Sequence, residues 1–493
     1  MPGPRAGPGM LVPMQQSEHP PTRAQNSRIA VPSREDTLLR ASTEPIGGPL
    51  GWHAGPGRQR AGFFTVERVL VLAVLAAAVI AVLFKDHCRR AGWITPDQYS
   101  TACYSALPND FEGFLVASSF PEALGSLNAS PLAAYLTSFT AWLSGMLSGE
   151  EEGSAGTLAY FDTAVVLIVL AWVLAVLAMA WLNRRRPWDA AVLAVSPLLL
   201  FAAYTDWQLW AVALLLTGLL FFARGLPLLA GLLFGAAGAV QPVLLLIPVA
   251  LIVLAVRRRE HIRALFSRLI PGAVISWSGL GLTVQLLAPQ VWPGGYLMRV
   301  WADDPSAGSW FGVINAFARR FGLTELSGST ASLISLALLL AGAIFILWMF
   351  FRLKRPMRVA QLCFLLVAWA LLVDKNAVPE NLVLLLPLLA LARPRWRLLL
   401  GWQFAALVFY LAYLLYQGVV LGTNNTQNGI DLPYYALAML VVTAGTIIAG
   451  GQVFWDAMHP RSDPVRRRGP DPLWPGKLRG QDLRRGRAAS VPD

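Results

Sequence analysis

The side chains of this 493-residue chain that could do chemistry stand between its apolar runs, not within them. Lys85, Asp86, His87, Arg89, Arg90, Asp97, Asp110 and Glu112 follow the first apolar run. Arg299, Asp303 and Asp304 lie in a long polar loop, about residues 289–330, and Asp374, Lys375 and Glu380 follow a later run. The run centres are almost free of charge; Gln241, followed by Pro242, is the main polar interruption. Charges at mid-span mark ion or proton pathways. Their placement here favours chemistry at one wet face of a membrane over ion-coupled transport. Cys88 and Cys103 flank the same early loop, and in an oxidising compartment they are candidates for a disulfide, with two free thiols as the alternative. Cys363 falls inside an apolar run and reads as a packing residue. Aromatic faces suit the CH faces of sugar rings, which makes Trp301 and Trp310 of the long loop candidates for ligand contact. Trp188, Trp207, Trp396 and Trp402 fall near run ends, where an interfacial aromatic belt would place them.

The elements that must position these residues follow from composition. Hydrophobic residues make up 56% of the chain and charged residues 14%, whereas soluble domains are about one quarter charged. That composition argues against a soluble enzyme. The net charge of +12, from 40 Lys and Arg against 28 Asp and Glu, taken alone suggests an anionic partner such as nucleic acid. The basic residues, however, fall as short clusters between apolar runs, the pattern that orients a polytopic membrane protein. Three cysteines exclude a disulfide-stapled scaffold and a cysteine-based zinc cluster.

Residues 1–62 are Pro-, Gly-, Ser- and Arg-rich and read as a disordered cytosolic arm. Residues 63–457 read as an all-α polytopic membrane domain and 458–493 as a basic cytosolic tail. About twelve crossings are expected: Phe63–Phe84, Phe161–Leu182, Trp188–Ala203, Trp207–Phe222, Leu226–Val240, Val243–Val256, Leu265–Ala288, Ala331–Phe351, Val359–Val373, Leu382–Ala392, Leu398–Tyr416 and Tyr434–Phe454. The two runs 226–240 and 243–256 are short enough to be a re-entrant pair instead. This order places both termini in the cytosol and the protein in the plasma membrane. Pro131–Leu147, with Ser138, Thr140, Trp142 and Ser144, reads as a helix lying in the interface, because counting it as a span would invert every later basic cluster. Asp189 reads as a cap or start of the helix after Arg186, and Arg466, Arg467 and Arg468 as a solvated end near anionic headgroups.

Six segments carry a family resemblance. They are CYSALP at Cys103–Pro108, RRRPWDAAVLAVSP at Arg184–Pro197, DWQLWAVAL at Asp206–Leu214, RVWADDPSAGSWFG at Arg299–Gly312, DKNAVPENLVLLLPLLALARPRW at Asp374–Trp396 and DAMHPRSDPVRR at Asp456–Arg467. In order and spacing the chain resembles actinobacterial membrane proteins of glycosyltransferase family 87. This GT-C-type group includes polyprenyl-phosphate-mannose-dependent mannosyltransferases. The resemblance implies a GT-C-like bundle with its active site at the outer face. It implies a polyprenyl-phosphate sugar donor, a lipid or glycan acceptor of the cell envelope, and an inverting transfer without cofactor, metal or nucleic acid.

Such a reaction needs a carboxylate in an early outer loop as general base and groups that stabilise the departing phosphate. Asp110 is the first candidate base, followed by Asp97 and Glu112. Arg299 and Lys375 match family positions and are the candidate phosphate contacts, and Asp206 and Trp310 the further substrate contacts. The chain departs from the family pattern at Ala106, at Gln208, at the stretch Ala239, Val240, Gln241 and Pro242, and at the pair Glu380 and Asn381. Those departures keep a second class open, a non-catalytic relative that binds lipid-linked sugar or assists envelope assembly. A transporter is the third and is disfavoured by the uncharged run centres.

Overall fold

The computed structural model describes residues 65–109, 111, 130–148, 153–287, 296–422 and 428–476. Among them every regular element is helical. Six helices are long and apolar enough to cross a membrane: Val66–Leu83, Gly153–Leu182, Ile262–Leu287, Gly328–Arg352, Trp396–Leu421 and Leu432–Met458. At about 1.5 Å per residue the shortest of them reaches about 27 Å, close to the hydrocarbon thickness. The chain is a membrane protein. The first of these helices shows why. It starts at Thr65, whose hydroxyl accepts from Arg68 N, and Glu67 sits in its first turn, where a carboxylate suits the helix dipole. Leu70, Val74, Ala77 and Ala81 recur at helical spacing on its buried face, while Leu72, Leu75, Val79 and Leu83 point outward. A helix apolar all round needs lipid or protein on every side.

The other expected crossings fall on shorter pieces. The run 188–203 is broken into Pro187–Ala190, Ala191–Ala194 and Pro197–Ala202. The break comes at Ser196, which caps the helix opened by Pro197 through Leu199 N, and proline cannot continue the preceding helix. Pro242 likewise separates Pro227–Val240 from Leu246–Arg258, and Leu382–Ala392 divides between a 3₁₀ turn, Pro379–Leu384, and a helix, Leu385–Ala392. The span expected at Phe161 begins eight residues earlier, at Gly153. Pro131–Ser148 is a helix whose Ala133, Ala134, Thr137, Ala141 and Ser144 are buried while Trp142, Met146 and Leu147 are exposed. Its Thr137 hydroxyl accepts from Trp207 Nε1 at 3.0 Å.

Small residues set the tightest packing. Gly231 and Gly235 let Pro227–Val240 lie against Leu269 and Ala273, and a Cβ at either glycine would enter the carbonyl oxygens of those residues. Gly272 does the same from the other side, where a Cβ would stand 2.7 Å from Leu228 O. This is the small-xxx-small mode by which membrane helices approach closely. Gly235→Val should therefore destabilise the protein by about 1–3 kcal/mol, because a backbone carbonyl cannot rotate away. Gly279→Val, where nothing lies within 4 Å, should leave the melting temperature in detergent unchanged. Equal melting of the two variants would refute this packing account.

The basic clusters gather at one end of the bundle. Arg186 donates to Pro394 O at 3.2 Å, Arg257 to Leu353 O at 2.8 Å, and Arg466 to Pro356 O at 2.5 Å. Arg358 pairs with Asp463 at 2.7 Å and Arg393 with Asp456 at 2.6 Å. One expectation is filled out here and one changes. Asp189 lies in the first turn of Pro187–Ala190, the short helix after Arg186, and it is also a buried partner of Arg186 Nε at 2.8 Å and of Asn183, the counter-charge that a buried guanidinium needs. Arg466 is held against Pro356 and Asp463, not solvated, since the segment after Met458 folds back: Leu473 is buried and Trp474 lies under Arg258 and beside His261.

Candidate active site

The opposite end holds the early loop. Cys88 and Cys103 are disulfide-bonded with Cα atoms 5.8 Å apart, which ties the start of the loop to CYSALP. From there Ser105 Oγ donates to Tyr204 O at 2.7 Å, and Ala106 N to Thr205 O at 2.9 Å. These bonds dock the loop on the turn 204–206, and Tyr410 and Thr205 join their hydroxyls at 2.8 Å. Lys85, fully buried, donates through Nζ to Tyr104 O at 2.6 Å. Burial pulls its pKa down to about 7, opposed by the nearby charge of Glu380.

Around that lysine the polar interruptions of distant runs meet. Gln208 Nε2 donates to Asn381 Oδ1 at 3.0 Å, and Gln241 Nε2 donates to the same oxygen at 3.2 Å. Asp206 accepts from Trp207 N at 2.6 Å and from Gln208 Nε2 at 3.5 Å; burial pushes its carboxyl upward, against the pull of those two bonds. Glu380 is 4% exposed, and its Oε2 has no hydrogen-bond partner among the described residues. Gln208 Oε1 is also buried and has no partner among the described residues. Tyr99, Tyr104, Tyr410 and Tyr413 all lie near enough to feel the Glu380 charge. Two buried acceptors without donors are costly, and hydroxyl groups are the complementary ligand chemistry.

The long loop closes on the same region. Gly308 packs against Ala377–Pro379, where a Cβ would meet Ala377 O at 2.7 Å, so the chain just before Glu380 touches the loop backbone. Tyr435 OH donates to Ala307 O at 2.7 Å, and Trp310 Nε1 to Thr443 Oγ1 at 3.2 Å. A cavity of about 300 Å³ lies under this loop, bounded by Asp304, Asn315, Arg319, Tyr416, Gln417 and Tyr435.

Residues 130–374 match the model of glycosyltransferase family 87. The chain carries a glycosyltransferase family 87 domain. No curated protein matches the chain. The family 87 domain contributes Asp206, Gln208 and Gln241 to the cluster, while Lys85, Glu380 and Asn381 come from sequence flanking the matched residues. The site is thus assembled by the domain and both of its neighbours in the chain.

Against that domain the expected site residues are dispersed. Asp206 is in the cluster. Asp97 accepts from or donates to nothing there; it pairs with His87 at 2.6 Å on an exposed surface. Asp110 and Glu112 lie outside the described residues. Lys375 is 3% exposed, and its ammonium donates to Trp301 O at 3.2 Å and to Asp303 O. It holds the loop carbonyls instead of facing an open surface, because a buried ammonium needs acceptors. Arg299 stands one helical turn from Asp303, 4.0 Å away. Trp310 is half-buried, its indole N–H directed at Thr443, so stacking on a ligand is open only to its exposed part. In the sequence Lys85 was legible as a polar residue bordering an apolar run, and Gln208, Gln241, Glu380 and Asn381 as departures from the family pattern, none of them as parts of one cluster.

Proposed function

We propose that the protein transfers a sugar, mannose in the first instance, from a polyprenyl-phosphate donor to a cell-envelope acceptor, using the Lys85–Glu380 cluster. The observation that carries this reading is the buried Glu380 carboxylate, with an oxygen unpartnered among the described residues, beside a lysine and two amides, in a chain with a family 87 domain. In the reaction the acceptor hydroxyl gives its proton to Glu380 as its oxygen bonds to the anomeric carbon. The bond from that carbon to the phosphate oxygen breaks, its electron pair leaves with polyprenyl phosphate, and the configuration inverts. Gln208 Oε1 accepts from a sugar hydroxyl, and Arg299 at the edge of the long loop meets the departing phosphate. The disulfide and the Ser105 and Ala106 bonds hold Tyr104, and through it Lys85, in register with Glu380. The outer face of the plasma membrane is where such a disulfide persists.

The test is direct. Purified protein in nanodiscs, given radiolabelled polyprenyl-phosphate mannose and an envelope lipid extract, should release polyprenyl phosphate and label an acceptor. Arg299→Ala should raise the KM for donor about tenfold, the loss of a charge-assisted phosphate contact. Retention of donor with no release under any acceptor would support the non-catalytic binder instead.

A further inference from the structure

We propose that the arginine-lined cavity at the opposite, basic end binds the phosphate headgroup of an anionic membrane lipid. The cavity measures about 290 Å³ and is lined by Asn183, Arg184, Arg185, Arg186 and Arg224, with an apolar side of Trp181, Leu220 and Ala223. The C-terminal segment forms the remaining wall through Val465, Pro470, Asp471 and Pro472.

The charges there are not balanced from within. Arg186 is committed to Asp189. Arg184 and Arg224 have no hydrogen-bond or ion-pair partner among the described residues, and both are exposed. Asp471, the one carboxylate of the lining, is engaged elsewhere: it accepts from Val359 N at 2.8 Å and from Leu473 N at 3.2 Å, and pairs with Arg258 at 3.5 Å. Two unpaired guanidinium groups around a concave site suit the oxygens of one phosphate group.

A second observation separates a lipid from a soluble phosphate. Val166, Leu170, Leu174 and Trp181 are all exposed on the Gly153–Leu182 helix. Their spacing of four, four and seven residues keeps them on one face. That face is an apolar stripe running along the span and ending at Trp181, on the cavity rim. A phospholipid fits both parts at once, acyl chains along the stripe and headgroup among the arginines, as basic pockets at span ends bind acidic headgroups. The proposal is independent of the transfer reaction, since it concerns the other end of the bundle.

The experiment uses the full chain. Wild type and the Arg184→Gln, Arg224→Gln double variant are placed in nanodiscs of phosphatidylcholine alone or with phosphatidylglycerol, then released for native mass spectrometry and thermal melting. Wild type should retain phosphatidylglycerol and melt several degrees higher with it, and the double variant should retain about tenfold less. Both replaced side chains are exposed, so the variant folds; its melting in phosphatidylcholine alone verifies this. Arg352→Gln, a basic residue at the same end that stacks on Trp348, should retain lipid like wild type. Equal retention by wild type and the double variant overturns the site. If inorganic phosphate in detergent reproduces the whole thermal shift, the lipid assignment is overturned and the site takes a soluble anion.

Discussion

Glu380→Gln is expected to lower sugar transfer by about 10²–10⁴-fold, the range that general-base catalysis contributes, while donor binding and melting temperature stay near wild type. The substitution keeps the shape of a side chain that is 4% exposed and removes only its capacity to take a proton. Two features make Glu380 the sharper choice over the early-loop carboxylates. Its Oε2 is buried without a partner among the described residues, and burial raises its carboxyl to about 7, a rise that the Lys85 charge opposes, which suits a base working near neutral pH. The pH sense has two sides: below about 7 the raised Glu380 carboxyl takes up a proton and cannot act as base, and above about 7 the lowered Lys85 ammonium loses its charge, so transfer should fall away from neutrality in both directions. Radiolabelled transfer under single-turnover conditions, alongside donor retention, reads the result. Activity of Glu380→Gln within threefold of wild type would falsify the assignment. A loss in Asp110→Asn in its place would return the base to the early loop.

The largest stability effect is expected at the basic end. Arg358→Ala should destabilise the protein by about 3–5 kcal/mol, the cost of leaving a buried charge unpaired. Arg358 and Asp463 have side chains 2% and 0% exposed. The guanidinium reaches Asp463 Oδ2 at 2.7 Å and Oδ1 at 3.2 Å, Leu391 O at 3.0 Å and Ala392 O at 2.6 Å. It therefore closes the last carbonyls of Leu385–Ala392 as well as holding the segment after Met458. Removing it leaves Asp463 with Gln361 Nε2 at 3.2 Å and the more distant Arg466 at 3.6 Å in place of its close bidentate partner, and frees that segment. The Arg358→Met, Asp463→Leu double variant should recover a substantial part of the loss, because no buried charge is then left alone. Denaturant titration in mixed micelles measures both. The account fails if the single variant loses under 1 kcal/mol, or if the double variant is no more stable than the single.

Run length and charge placement were readable because they are local. The six long helices coincide with six of the expected runs, and the Arg clusters at 184–186, 257–259 and 393–397 do end up at one end. Reading failed where a proline or small residues intervened. Pro197 divides a stretch that hydropathy alone joins, and the small, polar residues after Gly153 disguise the first two turns of a 30-residue helix. The glycines at 231, 235 and 272 carried a visible spacing, but which helix they face is a matter of packing.

The candidate site divides in the same way, more sharply. Four departures from the family pattern looked like separate losses along the chain. In space Gln208, Gln241 and Asn381 share one oxygen, across 173 and 140 residues of sequence, and Glu380 stands beside them. Lys375, matched by position to a phosphate contact, has its ammonium turned to two loop carbonyls, and Asp97 is paired with His87 away from the cluster. A side chain's partner set depends on which distant backbone arrives next to it, and no spacing within one run encodes that.

By itself the sequence determined that this chain lives in a membrane, that its charge is sorted to the run ends, and that its motifs resemble glycosyltransferase family 87. Each of those is a sum over neighbouring residues, and transfer free energy acts on such sums whatever the final packing. Only the tertiary structure decided which carboxylate is buried among tyrosines and amides, which lysine shares its field, and which arginines come together around a cavity. Those properties arise from burial and contact between residues far apart in the chain, where the loss of water makes each missing or present partner count.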